Sequence, residues 1–172
     1  AVDGQAHQIK VTALLDADVM NEDANYDEKF WDVLDKGVSN DEAFILTQTI
    51  ANPFGVPQFS VAVGQRFISD FEATARVDDD KQVGNTFAGT LAAGTQATLE
   101  KRVIVTTSRD YATNSEVVAA IGNLFTTVAE QSYEALYQAH ANEWAKRWEK
   151  ADVEIMGDAE AQQGIRFNLF QL

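Results

Sequence analysis

Residues 103–128 read VIVTTSRDYATNSEVVAAIGNLFTTV, and the fold turns on this stretch. At its start Val103 and Val105 face opposite to Ile104, the alternation of a β-strand. From Thr113 the period changes. Thr113 with Glu116 three residues later makes a capping-box pattern. Val117, Val118, Ile121, Leu124, Phe125 and Val128 then recur at helical spacing, with Gly122 marking a possible bend. The switch near residue 112 divides the chain into a strand-rich part and a helical part.

Toward the N-terminus the strand texture continues. Ile9 to Leu15 and Phe44 to Ile50 are apolar runs of strand length. Phe59, Val61 and Val63 alternate with Ser60, Ala62 and Gly64, as in a half-buried strand. Glu72 to Val77 alternates and leads into the turn-like cluster Asp78-Asp79-Asp80-Lys81. Thr86 to Leu91 and Thr95 to Thr107 complete the set. Both prolines lie in Asn52-Pro53-Phe54-Gly55-Val56-Pro57, read as a loop between two strands. Short strands with frequent turn signals and no helices between them predict an antiparallel β-sandwich. Toward the C-terminus Leu136, His140, Trp144 and Trp148 stand four apart on one helical stripe. A break is expected around Ala151 to Gly157, and Asp158 is placed to cap a last helix through Ile165, Phe167, Leu169, Phe170 and Leu172. The fold class is therefore mainly β with C-terminal α.

Composition narrows the function. The 172 residues carry 27 acidic and 13 basic side chains, a formal charge of −14. That charge repels a nucleic-acid backbone or an anionic membrane surface, so neither is expected as a partner. With 45% hydrophobic and 23% charged residues the chain is too apolar for disorder. It has no cysteine, and its only histidines are His7 and His140. Disulfides, thiolate metal sites, cysteine nucleophiles and multi-histidine centres are thereby excluded for this chain. No apolar run approaches the roughly 18–20 residues of a membrane span, and Ala1 to Lys10 lacks the apolar core of a secretory signal. The chain lacks an initiator Met and stops on Phe170-Gln171-Leu172, inside an expected helix, which reads as a piece of a longer protein.

Ten carboxylates lie between Asp16 and Glu42, opposed only by Lys29 and Lys36, so this stretch carries about −8. A calcium loop fails in detail, because Met20 and Asn21 stand where the EF-hand pattern needs an oxygen ligand and a glycine. The plainer reading is a solvated loop entering a short helix that buries Phe30, Trp31 and Leu34, or a loop that contacts a neighbouring domain. Two carboxylates could do glycosidase chemistry, but sequence alone places no pair across a sugar. Trp31, Trp144 and Trp148 could stack on sugars, although helical spacing favours packing for the last two, with His140 partly buried beside them. Arg66 and Arg166 are expected in salt bridges closing a domain interface. No Ser-His-Asp order, phosphate loop or nucleophile elbow is present.

Three segments carry a family resemblance. Asn21-Glu22-Asp23-Ala24-Asn25-Tyr26-Asp27-Glu28-Lys29-Phe30-Trp31 resembles a segment of glycoside hydrolase family 65, specifically its maltose-cleaving phosphorylases. Trp144-Ala145-Lys146-Arg147-Trp148, followed by Ala151 to Ile155 and Gly157-Asp158, resembles that family's linker. Gln162 to Leu172 resembles the start of its catalytic barrel. The resemblance implies that residues 1–111 are the later part of a supersandwich, 112–156 a helical linker, and 157–172 the first helix of an (α/α)6 barrel. It implies inverting phosphorolysis of an α-linked disaccharide, with inorganic phosphate as co-substrate and no other cofactor. It also implies a cytoplasmic homodimer whose catalytic acid and phosphate-binding residues lie beyond Leu172. Within this chain no catalytic or metal-binding residue is expected. Asn21, Glu22, Asp23, Asn25, Tyr26 and Trp31 are the candidates for contact with substrate, the barrel mouth or the dimer partner. Relatives of that family acting on trehalose or kojibiose, hydrolytic relatives, a stand-alone carbohydrate-binding sandwich and a purely structural module are the alternatives. The carbohydrate-binding module would show a row of exposed aromatics on one sheet face.

Overall fold

The computed structural model describes residues 1–20 and 29–171. Among them the strands are β1 (His7–Asp16), β2 (Trp31–Val38), β3 (Glu42–Thr49), β4 (Ser60–Ser69), β5 (Glu72–Asp79), β6 (Gln82–Leu91) and β7 (Leu99–Thr107). The helices are α1 (Asn114–Val128), α2 (Tyr133–Ala151) and α3 (Ala159–Gln171). The strands form two sheets, ordered β1-β6-β5 and β2-β3-β4-β7, with every pairing antiparallel. The expected sandwich with C-terminal helices is present.

Two compact units divide the chain, Ala1–Thr127 and Val128–Leu172. In the first, the middle of the four-stranded sheet is packed on both faces. On one face Ala43 and Ile45 pack with Leu15, Ala17 and Val83 of the smaller sheet side. On the other, Leu46 and Ala62 pack with Val117, Ile121 and Phe125 of α1. This explains why no residue of β3 is exposed, with Ile45, Leu46 and Thr47 buried in succession. The same layering shapes β4. Ser60, Ala62, Gly64, Gln65 and Phe67 are its buried residues, while Val61 and Val63 are half-buried. Small residues are needed at Ala62 and Gly64 because α1 lies directly on the strand. A Cβ built on Gly64 would overlap Ile121 Cγ2 and stand 3.2 Å from Phe125 Cε2.

The segment expected as a short helix is instead β2. Trp31 pairs with Thr49 and Val38 with Ala43, and a bulge lies between Val33 and Asp35. The bulge breaks the period-two pattern that would have revealed the strand, and it leaves Leu34 46% exposed rather than buried. On β7, Ile104 packs toward α1, whereas Val103 and Val105 stay exposed. That strand begins at Leu99, after a turn closed by Thr95 N–H donating to the Ala92 carbonyl at 3.1 Å.

The capping box forms as read. Thr113 N–H donates to Glu116 Oε2 at 2.9 Å, and Glu116 N–H donates to Thr113 Oγ1 at 3.2 Å. α1 then runs past Gly122 without a break. In the second unit Ser132 caps α2 by accepting from Ala135 N–H. Asp158 caps α3, its Oδ1 accepting from Ala161 N–H at 2.9 Å. Gln162 latches the intervening segment, donating to the Val153 carbonyl and accepting from Ile155 N–H. Trp144 and Phe170 join the two helices with ring centroids 4.7 Å apart. Neither helix has a fully buried residue.

Candidate functional site

Of the sequence-derived candidates, Asn21, Glu22, Asp23, Asn25 and Tyr26 lie outside the described residues. Trp31 is described. It is half-buried at the start of β2, opposite Thr49, and Ile50 N–H donates to the carbonyl of the preceding Phe30 at 2.9 Å. The acidic segment therefore feeds into the end of the four-stranded sheet.

The described carboxylates around it are held in local pairs. Asp16 accepts from Gln82 Nε2 and from Asp18 N–H. Asp18 meets Lys29 Nζ at 2.5 Å and Lys81 Nζ at 3.4 Å. The hydrogen bond from Lys29 holds the Asp18 carboxyl below the ordinary carboxylate value, with Lys81 adding to it. Asp41 accepts from the Ser39 hydroxyl, Glu42 meets Arg66 at 2.8 Å, and Asp78 meets Lys36 at 2.7 Å. These contacts tie strands and turns together. Among the described residues, no three His, Asp or Glu side chains are grouped to hold a metal ion.

The remaining candidates resolve into packing. Arg66 bridges directly paired residues of β3 and β4 and lies 4.6 Å from the centre of the Phe125 ring. Arg166 donates to Asp152 at the end of α2, which holds that carboxyl below its ordinary value. The Arg166 bridge joins the expected linker to the expected first barrel helix, whereas the Arg66 bridge lies inside the sandwich and closes no domain interface. Trp144 and Trp148 are half-buried along α2, but His140 beside them is exposed rather than partly buried. No row of exposed aromatics lies on either sheet among the described residues.

One surface was missed in the sequence beyond its being a loop. At the same end of the sheet as Phe30, residues 52–57 frame an apolar cavity of about 680 Å3, lined by Phe30, Ile50, Pro53, Phe54, Val56 and Phe59 among others. Asn52 organises this loop with its side chain. Its Oδ1 accepts from Phe54 N–H at 3.0 Å and Val56 N–H at 3.2 Å, and its Nδ2 donates to the Val56 carbonyl at 3.0 Å. Gly55 takes φ +71°, which favours glycine. The Pro-Phe-Gly run between two prolines was the available signal.

Comparison with known proteins places this unit. Residues 1–147 match the family model for the glycosyl hydrolase family 65 N-terminal domain. The chain is 39% identical over 165 residues to maltose phosphorylase of Bacillus subtilis, covering 95% of this chain and 21% of that protein. It is 27% identical over 176 residues to the alpha,alpha-trehalose phosphorylase of Thermoanaerobacter brockii, again 21% of that protein. A solved structure of a putative kojibiose phosphorylase from the human microbiome shares the fold, with a TM-score of 0.77 at 17% identity. It is covered over 98% of this chain and 21% of that one. The chain thus spans about a fifth of the length of these relatives, and it belongs to glycosyl hydrolase family 65, matching that family's N-terminal domain.

Proposed function

We propose that this chain is the N-terminal, non-catalytic part of a disaccharide phosphorylase, and that maltose is the disaccharide. The match that carries this reading is the 39% identity to the Bacillus subtilis maltose phosphorylase over 95% of the chain. The pairing of its described carboxylates with lysine, arginine and hydroxyl partners fits a supporting role. Residues 1–111 would be the later part of the sandwich, 112–156 the linker and 157–172 the first barrel helix. The rest of the polypeptide is the partner that completes the enzyme. The intact protein is further proposed to be a cytoplasmic homodimer.

In the proposed reaction a carboxylic acid outside this chain protonates the glycosidic oxygen. An oxygen of inorganic phosphate attacks the anomeric carbon from the opposite face. The bond to the leaving sugar breaks as the new one forms, giving β-glucose 1-phosphate and glucose. Phosphate is already anionic at neutral pH, so the second carboxylate that a hydrolase uses to activate water is dispensable.

The trehalose and kojibiose readings stay as the second choice, on the likeness to the Thermoanaerobacter protein. The test is a substrate panel on the intact protein. Maltose, trehalose and kojibiose are each supplied with phosphate, and released sugar phosphate is measured. Maltose is expected to turn over fastest. Preferential turnover of either other sugar overturns the maltose assignment, and turnover of none overturns the phosphorylase reading.

A further inference from the structure

The loop at residues 52–57 combines three features that rarely coincide on a free surface. It is apolar, it is hydrogen-bonded within itself, and its largest side chains point outward. Phe54 is 87% exposed and Val56 61% exposed. Exposing such side chains is unfavourable by ordinary burial energetics, and natural surfaces seldom hold them in order without a use. Yet this loop is tied down by its own hydrogen bonds. Asn52 makes its three hydrogen bonds inward, and Pro53 and Pro57 fix φ on either side. Below it Gln58 Nε2 donates to the Thr49 carbonyl at 2.7 Å, and Thr49 Oγ1 accepts from Phe59 N–H at 2.9 Å. Ordering before contact lowers the entropy cost of docking.

The chemistry of the lining selects the occupant. A sugar site needs free polar groups to fix hydroxyls. Here the Asn52 amide and the Thr49 hydroxyl are engaged within the loop and strand ends. Among the described residues, no charged side chain lines the cavity. An apolar protein surface is the matching partner. This chain accounts for only 21% of the length of its relatives, so a large covalently linked partner is at hand.

We infer that the residue 52–57 loop is an anchor, with Phe54 and Val56 inserting among apolar side chains of the part of the polypeptide that follows residue 172. This rests on the reading of the chain as the N-terminal part of a longer enzyme. The anchor adds a fixed contact far along the sequence from the covalent connection at the last helix. Two such points would restrict how the sandwich can turn against the remainder.

The test places the photo-crosslinking residue p-benzoylphenylalanine at position 54 of the intact protein. Crosslinked peptides are then identified by mass spectrometry. The expected result is an intramolecular crosslink from position 54 to a peptide beyond residue 172. Yield should fall when Asn52→Ala is added, because the loop then loses its internal bonds. A crosslink to a second copy, seen as a covalent dimer on a denaturing gel, overturns the proposal. So does a crosslink confined to residues 1–172, or none. Phosphorolysis is assayed on the same sample before irradiation. An active enzyme without the crosslink sinks the anchor alone, and a crosslinked protein without phosphorolysis sinks the phosphorylase reading alone.

Discussion

Replacing Gly64 by alanine tests whether α1 is an integral layer of the sandwich unit. The new methyl group would overlap Ile121 Cγ2 and press on Phe125 Cε2 at 3.2 Å and Ile121 Cδ1 at 3.4 Å. Overpacking of this kind costs about 1–3 kcal/mol. Alanine also recovers roughly 0.5–1 kcal/mol of strand propensity over glycine. The net expectation is a loss of about 1–2 kcal/mol. For a domain of this size that lowers the melting temperature by about 2–8 °C. The assay is urea and thermal unfolding followed by circular dichroism, run as a double-mutant cycle with Ile121→Ala. Alone, Ile121→Ala should cost about 2–5 kcal/mol, since Ile121 is buried against the sheet. Together the two changes should cost less than their sum by about 1 kcal/mol or more, because truncation removes the atoms that the new methyl meets. Penalties that add to within about 0.3 kcal/mol would refute the packing of α1 on β4.

Other expectations follow from the same geometry. Gly84→Ala should be more damaging than Gly64→Ala, since its methyl would run into the backbone carbonyl of Ala13, and Leu14→Ala should not rescue it in the same unfolding assay. Thr113→Ala should cost about 1 kcal/mol through loss of the bond accepted from Glu116 N–H, read as a shifted urea midpoint with unchanged slope. Asp18 has its folded carboxyl value lowered by Lys29 and Lys81, so its contribution is present at neutral pH and fades as pH falls through that lowered value. The stability gap between the protein and Asp18→Asn should accordingly be widest near neutrality and close on acidification, as followed by urea midpoints across pH.

Local signals carried most of the fold. The capping box at Thr113 and Glu116, the Asp158 cap and the turn at Asp80-Lys81 depend on neighbours in sequence, so spacing reveals them. β2 stayed hidden because its bulge near Leu34 destroys the alternation, and pairing with β3 is a nonlocal fact. β4 was legible as a strand from its alternation. Sequence shows Val61 and Val63 as the larger apolar residues, whereas the helix laid over Ala62 and Gly64 decides burial. The surface at residues 52–57 was legible only as a loop. Its interest lies in where the Asn52 side chain bonds and how far Phe54 projects, and neither is encoded in spacing. The segments Asn21 to Trp31, Trp144 to Asp158 and Gln162 to Leu172 carried the family resemblance, and the match over residues 1–147 bears out the family.

The most direct test of the central claim is the fate of maltose with the intact protein, followed by proton and phosphorus NMR with and without inorganic phosphate. The account predicts turnover that requires phosphate and yields β-glucose 1-phosphate as the first-formed anomer. Glucose released equally well without phosphate, or α-glucose 1-phosphate as the first product, would contradict it.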